Sequence, residues 1–79
     1  GRVRTQDAAA IGREIVASTG SAPRALRTLE TDQGLVVLVT LALDGATTLA
    51  DAHDAATTVS ERIRTAFPGV ADVVVHTEP

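Results

Sequence analysis

The 79-residue sequence predicts an α+β fold in which two helices lie on one face of a three-stranded mixed sheet. Two segments repeat apolar residues at helical spacing, and three shorter aliphatic segments are typical of strands. One helical segment separates the last two strands, which are therefore expected to be parallel with a right-handed crossover. The order α-β-β-α-β describes a ferredoxin-like sandwich that lacks one edge strand.

The first helix is predicted over residues 5–18, where Ile11 and Ile15 follow helical spacing. A Gly and then a Pro come after it, and both residue types end helices. Residues 1–4 show no such pattern and are expected to form a linker or arm. Residues 5–79 are then expected to make up a single domain.

The next two segments are predicted to form an antiparallel hairpin. The first strand, residues 24–31, alternates imperfectly because Leu26 and Leu29 have opposite parity. A short turn at residues 32–34 ends in Gly and leads to the second strand, residues 35–43, which is almost continuous Val and Leu. Such a run is typical of a central strand that is covered on both faces.

Thr48 and Asp51 form a capping pattern that predicts the start of the second helix. The apolar residues of this helix recur at spacings of three and four: Leu49, Ala52, Ala56, Val59, Ile63 and Phe67. A Pro-Gly pair ends the helix, and three valines at residues 73–75 predict a third strand that closes at Pro79. No further segment remains to cover the second face of the sheet, so we expect a homodimer.

Composition excludes several classes of function. The chain has no Cys, which rules out disulfides, thiolate zinc sites and a thiol nucleophile. A net charge of −3 and a single aromatic residue, Phe67, argue against nucleic-acid binding. The longest apolar run, residues 35–39, is far shorter than the roughly 20 residues that span a bilayer, so direct lipid insertion is not expected. No nucleophile elbow or phosphate-binding loop is seen, and we expect no enzyme.

One candidate metal site lies at the end of the third strand. His76 and Glu78 are two residues apart, so in a strand they share a face and can approach one ion. Imidazole and carboxylate ligands suit zinc, manganese, cobalt or nickel. The alternative is that His76 is a strand-end residue and Glu78 a solvated acid. His53 is then a polar residue beside the apolar stripe of the second helix.

Several short segments combine into a pattern that is more specific than any one of them. The most specific parts are the Ala-His that ends at His53 and the terminal His-x-Glu-Pro that begins at His76. Supporting segments lie at residues 26–28, 48–53, 61–64, 67–70 and 72–79. Together they resemble the cytoplasmic C-terminal domain of the cation diffusion facilitator, or cation efflux, family, over nearly the whole chain from the first helix onward.

The resemblance implies a role in transport. The family exports divalent cations, often zinc, in exchange for protons through a membrane part of about six helices. Its C-terminal domain has the α-β-β-α-β fold, dimerises, and in many members binds metal at the dimer interface, which favours transport. We therefore expect a regulatory homodimer attached to the transmembrane domain of a parent transporter, on the cytoplasmic side of the plasma membrane. Zinc is the favoured ion; manganese, cobalt, nickel, iron, or no metal are the alternatives.

The ligand positions of the family carry over only in part. Its Ala-His motif matches His53, and its terminal His and acid match His76 and Glu78. Two further positions that often hold His are occupied here by Arg24 and Thr40. Each ion needs about three or four ligands, so three protein ligands cannot hold two ions. Metal binding is expected to be reduced to one ion held by His76 and Glu78, with or without His53, and with water completing its shell.

The positive charge of Arg24 suggests that this residue takes the place of one bound cation. A guanidinium is permanently charged and forks onto a carboxylate. We hypothesise that Arg24 pairs with Glu78, so that the domain holds an arrangement like the metal-loaded one with little or no metal. The alternative is a solvated charge of little energetic weight.

Two other functions stay open at this point. The chain does not begin with Met, so we expect it to be trimmed or cut from a larger protein. If it is free-standing, it would be a soluble metal buffer or carrier of the same fold. The third interpretation is a ferredoxin-like module that binds a small molecule or only dimerises. Failure to bind any divalent ion would favour it.

Overall fold

The computed structural model describes residues 5–79, and its elements follow the predicted order. They are α1 (Thr5–Thr19), β1 (Ala25–Thr31), β2 (Gly34–Ala42), α2 (Leu49–Ala66) and β3 (Val70–Glu78). The predicted arm at residues 1–4 lies outside the described residues. β3 begins before the run of valines that predicted it, because Val70 already pairs with Leu35 of β2, next to a shift in register.

β2 is the central strand of the sheet. It runs antiparallel to β1 and parallel to β3, which gives the strand order β1-β2-β3. α2 makes the long connection that two parallel neighbours require, so the predicted mixed sheet is confirmed. Neither helix in the described part of the chain has the length and hydropathy that a membrane crossing needs.

The core lies between the two helices and one face of the sheet. Every side chain in it is aliphatic and at most 8% exposed: Ile11 and Ile15 of α1, Val37, Val39 and Leu41 of β2, Val59 and Ile63 of α2, and Val73 of β3. Burying one such side chain contributes about 1.5–3 kcal/mol. These residues confirm the stripe of α1 and the later part of the stripe of α2, and both helices lie on the same face of the sheet, as predicted. Leu49, which its spacing assigned to the α2 stripe, is instead 88% exposed, because it is the first residue of the helix and the buried residues of α2 begin only at Val59.

Within residues 5–79, β2 is covered on one face only, whereas its sequence predicts cover on both. Val36, Leu38 and Thr40 alternate with the buried residues of the strand and are half-buried. Successive side chains of a strand point to opposite faces, so these three point away from the helices. The continuous apolar run therefore does not indicate a second layer built by the same chain.

The helix ends follow the local sequence signals. Thr48 is the N-cap of α2, and its hydroxyl accepts a hydrogen bond from the backbone N–H of Asp51 at 3.1 Å. At the end of α1, the Gly20 N–H donates to the Val16 carbonyl at 2.7 Å. Gly20 has a φ of 81°, a conformation that glycine adopts without a Cβ penalty. Both predicted ends are confirmed.

Gly34 lies where the β1–β2 turn meets the α2–β3 turn. The Gly69 carbonyl oxygen accepts a hydrogen bond from the Leu35 N–H at 3.1 Å, which holds the two turns together. A Cβ built on Gly34 would lie 2.8 Å from that oxygen and 3.3 Å from the Cβ of Ala71. Its φ of 127° also disfavours any side chain. Glycine is therefore required here for two independent reasons.

We expect Gly34→Ala to lower the free energy of unfolding by about 2 kcal/mol or more, because backbone strain and steric overlap add. Gly20→Ala is the matched control, since Gly20 also has a positive φ but has open space around it. It should lose only about 1 kcal/mol. Urea denaturation followed by circular dichroism measures both variants. Equal losses would show that the contact with Gly69 has no energetic weight.

Gly12 offers the opposite case. It lies inside α1, where Gly costs about 1 kcal/mol relative to Ala. A Cβ there would meet the Leu26 side chain at 3.7 Å, an ordinary contact. We therefore expect Gly12→Ala to raise the free energy of unfolding by about 0.5–1 kcal/mol in the same assay. A loss of stability would mean that α1 packs on β1 too closely to accept a methyl group.

Candidate functional site

His76 and Glu78 lie together at the end of β3. The Nε2 atom of His76 is 3.6 Å from the Oε2 atom of Glu78. The imidazole is 69% exposed and the carboxylate 36%, so a solvated ion has access to both. The strand alternation that predicted a shared face is thus present in the structure. Whether the pair binds metal stays a prediction.

Arg24 forms the hypothesised ion pair with Glu78. Its Nη1 donates to the Oε1 atom of Glu78 at 2.5 Å, and the two side chains are 50% and 36% exposed. Arg24 precedes β1 and Glu78 ends β3, with β2 between them, so the side chain must reach across about 10 Å of sheet. A long Arg side chain can span this distance. Its base is held by the backbone N–H of Arg24, which donates to the Thr40 carbonyl at 2.8 Å.

Thr40 is the central residue of a row of paired residues that runs across the three strands to His76. It is opposite Ala25 in β1 and His76 in β3, and it is half-buried. Paired residues on neighbouring strands share a face, so the Thr40 hydroxyl lies on the same face as the His76 imidazole. A hydroxyl is a poor ligand for zinc compared with the imidazole that this position often holds in the resembled family.

His53 is not part of this cluster within one chain. It lies in α2, is exposed, and lines a shallow depression with Thr57, Ser60, Val73 and Val75. Among residues 5–79, no three His, Cys, Asp or Glu side chains come close enough to hold a metal ion. One chain therefore brings together two of its three predicted ligands. That number is below the three or four protein ligands that zinc sites usually have.

An apolar surface lies on the same side of the sheet as His76. We call it the open face and define it by Leu29 of β1, Val36 and Leu38 of β2, and Val74 of β3. Leu29 is 57% exposed and Val74 48%, whereas the two β2 residues are half-buried. Val74 and His76 are two residues apart in β3, so the apolar surface leads directly into the histidine–carboxylate pair.

Sequence reasoning predicted an uncovered face but did not identify its residues. Residue parity in β2 was the signal that could have found them, since Val37 and Val39 fit the core and their neighbours must then point outward. The pairing of Leu38 with Arg27 and Val74 extends that parity to the flanking strands. The parity of β1 was ambiguous in the sequence, which prevented this step.

A family model matches every residue that the structure describes. The model, ZT_dimer, is described as the cytoplasmic domain of cation efflux proteins, and it matches residues 5–79. A search of curated proteins finds no significant match. The residues that prompted the resemblance in the sequence all lie inside the matched range.

Solved structures share the fold at low sequence identity. A structure of CzrB, assigned as a zinc transporter, matches with a TM-score of 0.83 at 20% identity, over 99% of this chain and 98% of its own. The metal-bound C-terminal domain of the CzcD transporter from Thermotoga maritima gives 0.77 at 17%, over 98% and 94%. A variant of the MamM C-terminal domain gives 0.80 at 17%, over 89% and 90%. At these identities the likeness confirms the predicted ferredoxin-like α-β-β-α-β fold.

Proposed function

The chain belongs to the family of cation efflux cytoplasmic domains, and from this premise we propose that it is the regulatory and dimerisation domain of a divalent-cation efflux transporter. Its proposed partners are a second copy of itself and the transmembrane part of the parent transporter. We place it on the cytoplasmic side of the plasma membrane. The family consists of transport proteins rather than a class of enzymes, and we propose that the domain has no catalytic activity of its own.

The open face is the observation that best supports this function. It joins an exposed apolar surface to the pair formed by His76 and Glu78, which have metal-ligating chemistry. A domain with only the apolar surface would dimerise, and a domain with only the pair would bind an ion weakly. Because the apolar surface and the pair are adjacent on one side of the sheet, dimerisation and ion binding can influence each other.

Dimerisation through the open face follows from its chemistry. Exposed Leu29 and Val74, with half-buried Val36 and Leu38, form an apolar surface of the kind that marks protein contacts. A two-fold dimer places the same surface on both partners, so the apolar residues of one open face can pack against those of the other. The short name of the matched family also refers to a dimer.

Metal binding is proposed at His76 and Glu78, with one ion per chain. The available donors are an imidazole nitrogen and a carboxylate oxygen, which suit zinc. Relatives support a divalent cation: CzrB has a zinc form, the CzcD domain is metal-bound, and MamM variants have copper and cadmium forms. Water completes the ion's shell in one chain. Within one chain His53 lies apart from this pair, so any contribution of His53 to the shell has to come from a second copy.

We expect Val74→Glu to weaken the dimer at least about tenfold, because it places a carboxylate from each partner in an apolar contact. Sedimentation equilibrium measures the dissociation constant. Val16→Glu is the matched control, since Val16 is 42% exposed on α1, away from the open face. It should leave the dimer unchanged. A dimer that survives Val74→Glu, or that both variants disrupt equally, would contradict this interface.

We expect zinc to bind the purified domain with a dissociation constant of roughly 10 μM at neutral pH, which is weak because the chain supplies few ligands. His76→Ala and Glu78→Gln should each lower the affinity about tenfold or more, since each removes one ligand. Calorimetric titration measures this.

His53→Ala tests the second copy in the same assay. If His53→Ala lowers the zinc affinity only at protein concentrations where the domain is dimeric, His53 contributes to the ion's shell across the interface. Zinc binding that survives both His76→Ala and Glu78→Gln would contradict the site. Absence of zinc binding in the unaltered domain would leave the proposed dimerisation standing and remove the metal part of the function.

A further inference from the structure

The carboxylate of Glu78 has two neighbours, the guanidinium of Arg24 and the imidazole of His76. Its Oε1 atom accepts a hydrogen bond from Arg24 at 2.5 Å, and its Oε2 atom faces the His76 imidazole at 3.6 Å. The Arg24 guanidinium, a permanent cation, thus holds Oε1. Oε2 lies beside His76, the second ligand of the proposed metal site. Any ion that binds at His76 must share this carboxylate with Arg24.

We propose that Arg24 is a built-in competitor for the metal, which weakens cation binding at Glu78 and sets the concentration at which the domain responds. This inference rests on the proposed function, since it concerns regulation of the same site. It assigns to Arg24 a role in tuning affinity, whereas His76 and Glu78 are the ligands. The guanidinium occupies Glu78 when no ion is bound, and the ion must displace or share it.

The competition has two physical sources. First, the ion must disrupt a charge-assisted hydrogen bond from an Arg side chain that cannot lose its proton. Second, the guanidinium repels a divalent cation at the neighbouring oxygen. Both groups of the pair are well exposed, so water screens these effects and they remain moderate. Arg24 should therefore weaken binding by a factor, rather than abolish it.

The backbone of Arg24 is fixed close to the site, which keeps its guanidinium near Glu78. Its backbone N–H is bonded to Thr40, and Thr40 is paired with His76. The guanidinium is thus tethered close to the site across one strand, and its effective concentration there stays high. A free cation in solution has no such tether.

Two other ion pairs of the described chain provide contrast. Arg62 pairs with Glu14 at 2.9 Å, and Arg64 pairs with Asp72 at 2.6 Å. In neither described pair is a histidine a second partner of the carboxylate. Arg64 is 45% exposed, close to the 50% of Arg24. It therefore offers a matched control with the same charge and exposure and no metal ligand beside it.

The test compares zinc affinity in Arg24→Gln and Arg64→Gln by calorimetry. Arg24→Gln should bind zinc about three- to tenfold more tightly than the unaltered domain, because both the ion pair and the repulsion are removed. Arg64→Gln removes the same net charge and should stay within about twofold, since its charge is screened by solvent. In Arg24→Gln combined with Glu78→Gln, the gain should disappear, because the competition acts through that carboxylate.

A spectroscopic measurement follows the displacement directly. In the unaltered domain, the Nε–H signal of Arg24 should shift during zinc titration and saturate with the calorimetric curve, while the signal of Arg64 stays fixed. Zinc binding with equal affinity in the unaltered domain and Arg24→Gln would overturn the inference and leave the proposed function intact. Absence of zinc binding in both proteins would overturn the inference and remove the metal part of the proposed function, while the proposed dimerisation would stand. Zinc binding that appears only in Arg24→Gln and depends on Glu78 would support the competition by Arg24 and would remove metal binding from the proposed function of the unaltered domain.

Discussion

The structure depends on the two-sided packing of β2. This strand of nine residues is bonded to both other strands, and its aliphatic side chains alternate between two environments. Val37, Val39 and Leu41 form the core with the helices, while Val36 and Leu38 form part of the open face. A single apolar run thus stabilises the fold on one side and supplies the open face, the proposed dimer contact, on the other. Residue parity decides which of the two a given substitution affects.

The same register explains how residues far apart in sequence meet at one site. Arg24 and Glu78 are 54 positions apart, yet only one strand lies between them. The antiparallel pairing of β1 with β2 brings the start of β1 beside Thr40, and the parallel pairing of β2 with β3 brings His76 beside the same residue. The crossover through α2 is therefore what places the end of β3 near the start of β1. Without that parallel pairing, Glu78 would have no cation within reach.

Local periodicity in the sequence predicted contacts within one strand but could not predict contacts between different elements. The contact between His76 and Glu78 follows from the two-residue period of a strand, whatever the tertiary fold. The pair formed by Arg24 required the resemblance, because strand register is not encoded in the spacing of the first strand. There Leu26 packs against the core and Leu29 is exposed, an opposite parity that the sequence left ambiguous. The separation of the α2 histidine from the site depends on helix–sheet packing, which helical spacing does not define.

In the proposed dimer, ion binding and association are linked because both use one side of the sheet. Any factor by which an ion strengthens the dimer is the factor by which the dimer strengthens ion binding. A carboxylate without a partner opposes burial beside an interface, and Arg24 already neutralises Glu78 before an ion arrives. The electrostatic obstacle to association is therefore reduced in the metal-free domain. In this proposal, metal would add to a dimer that forms without it, so the response to metal would be graded rather than an assembly switch.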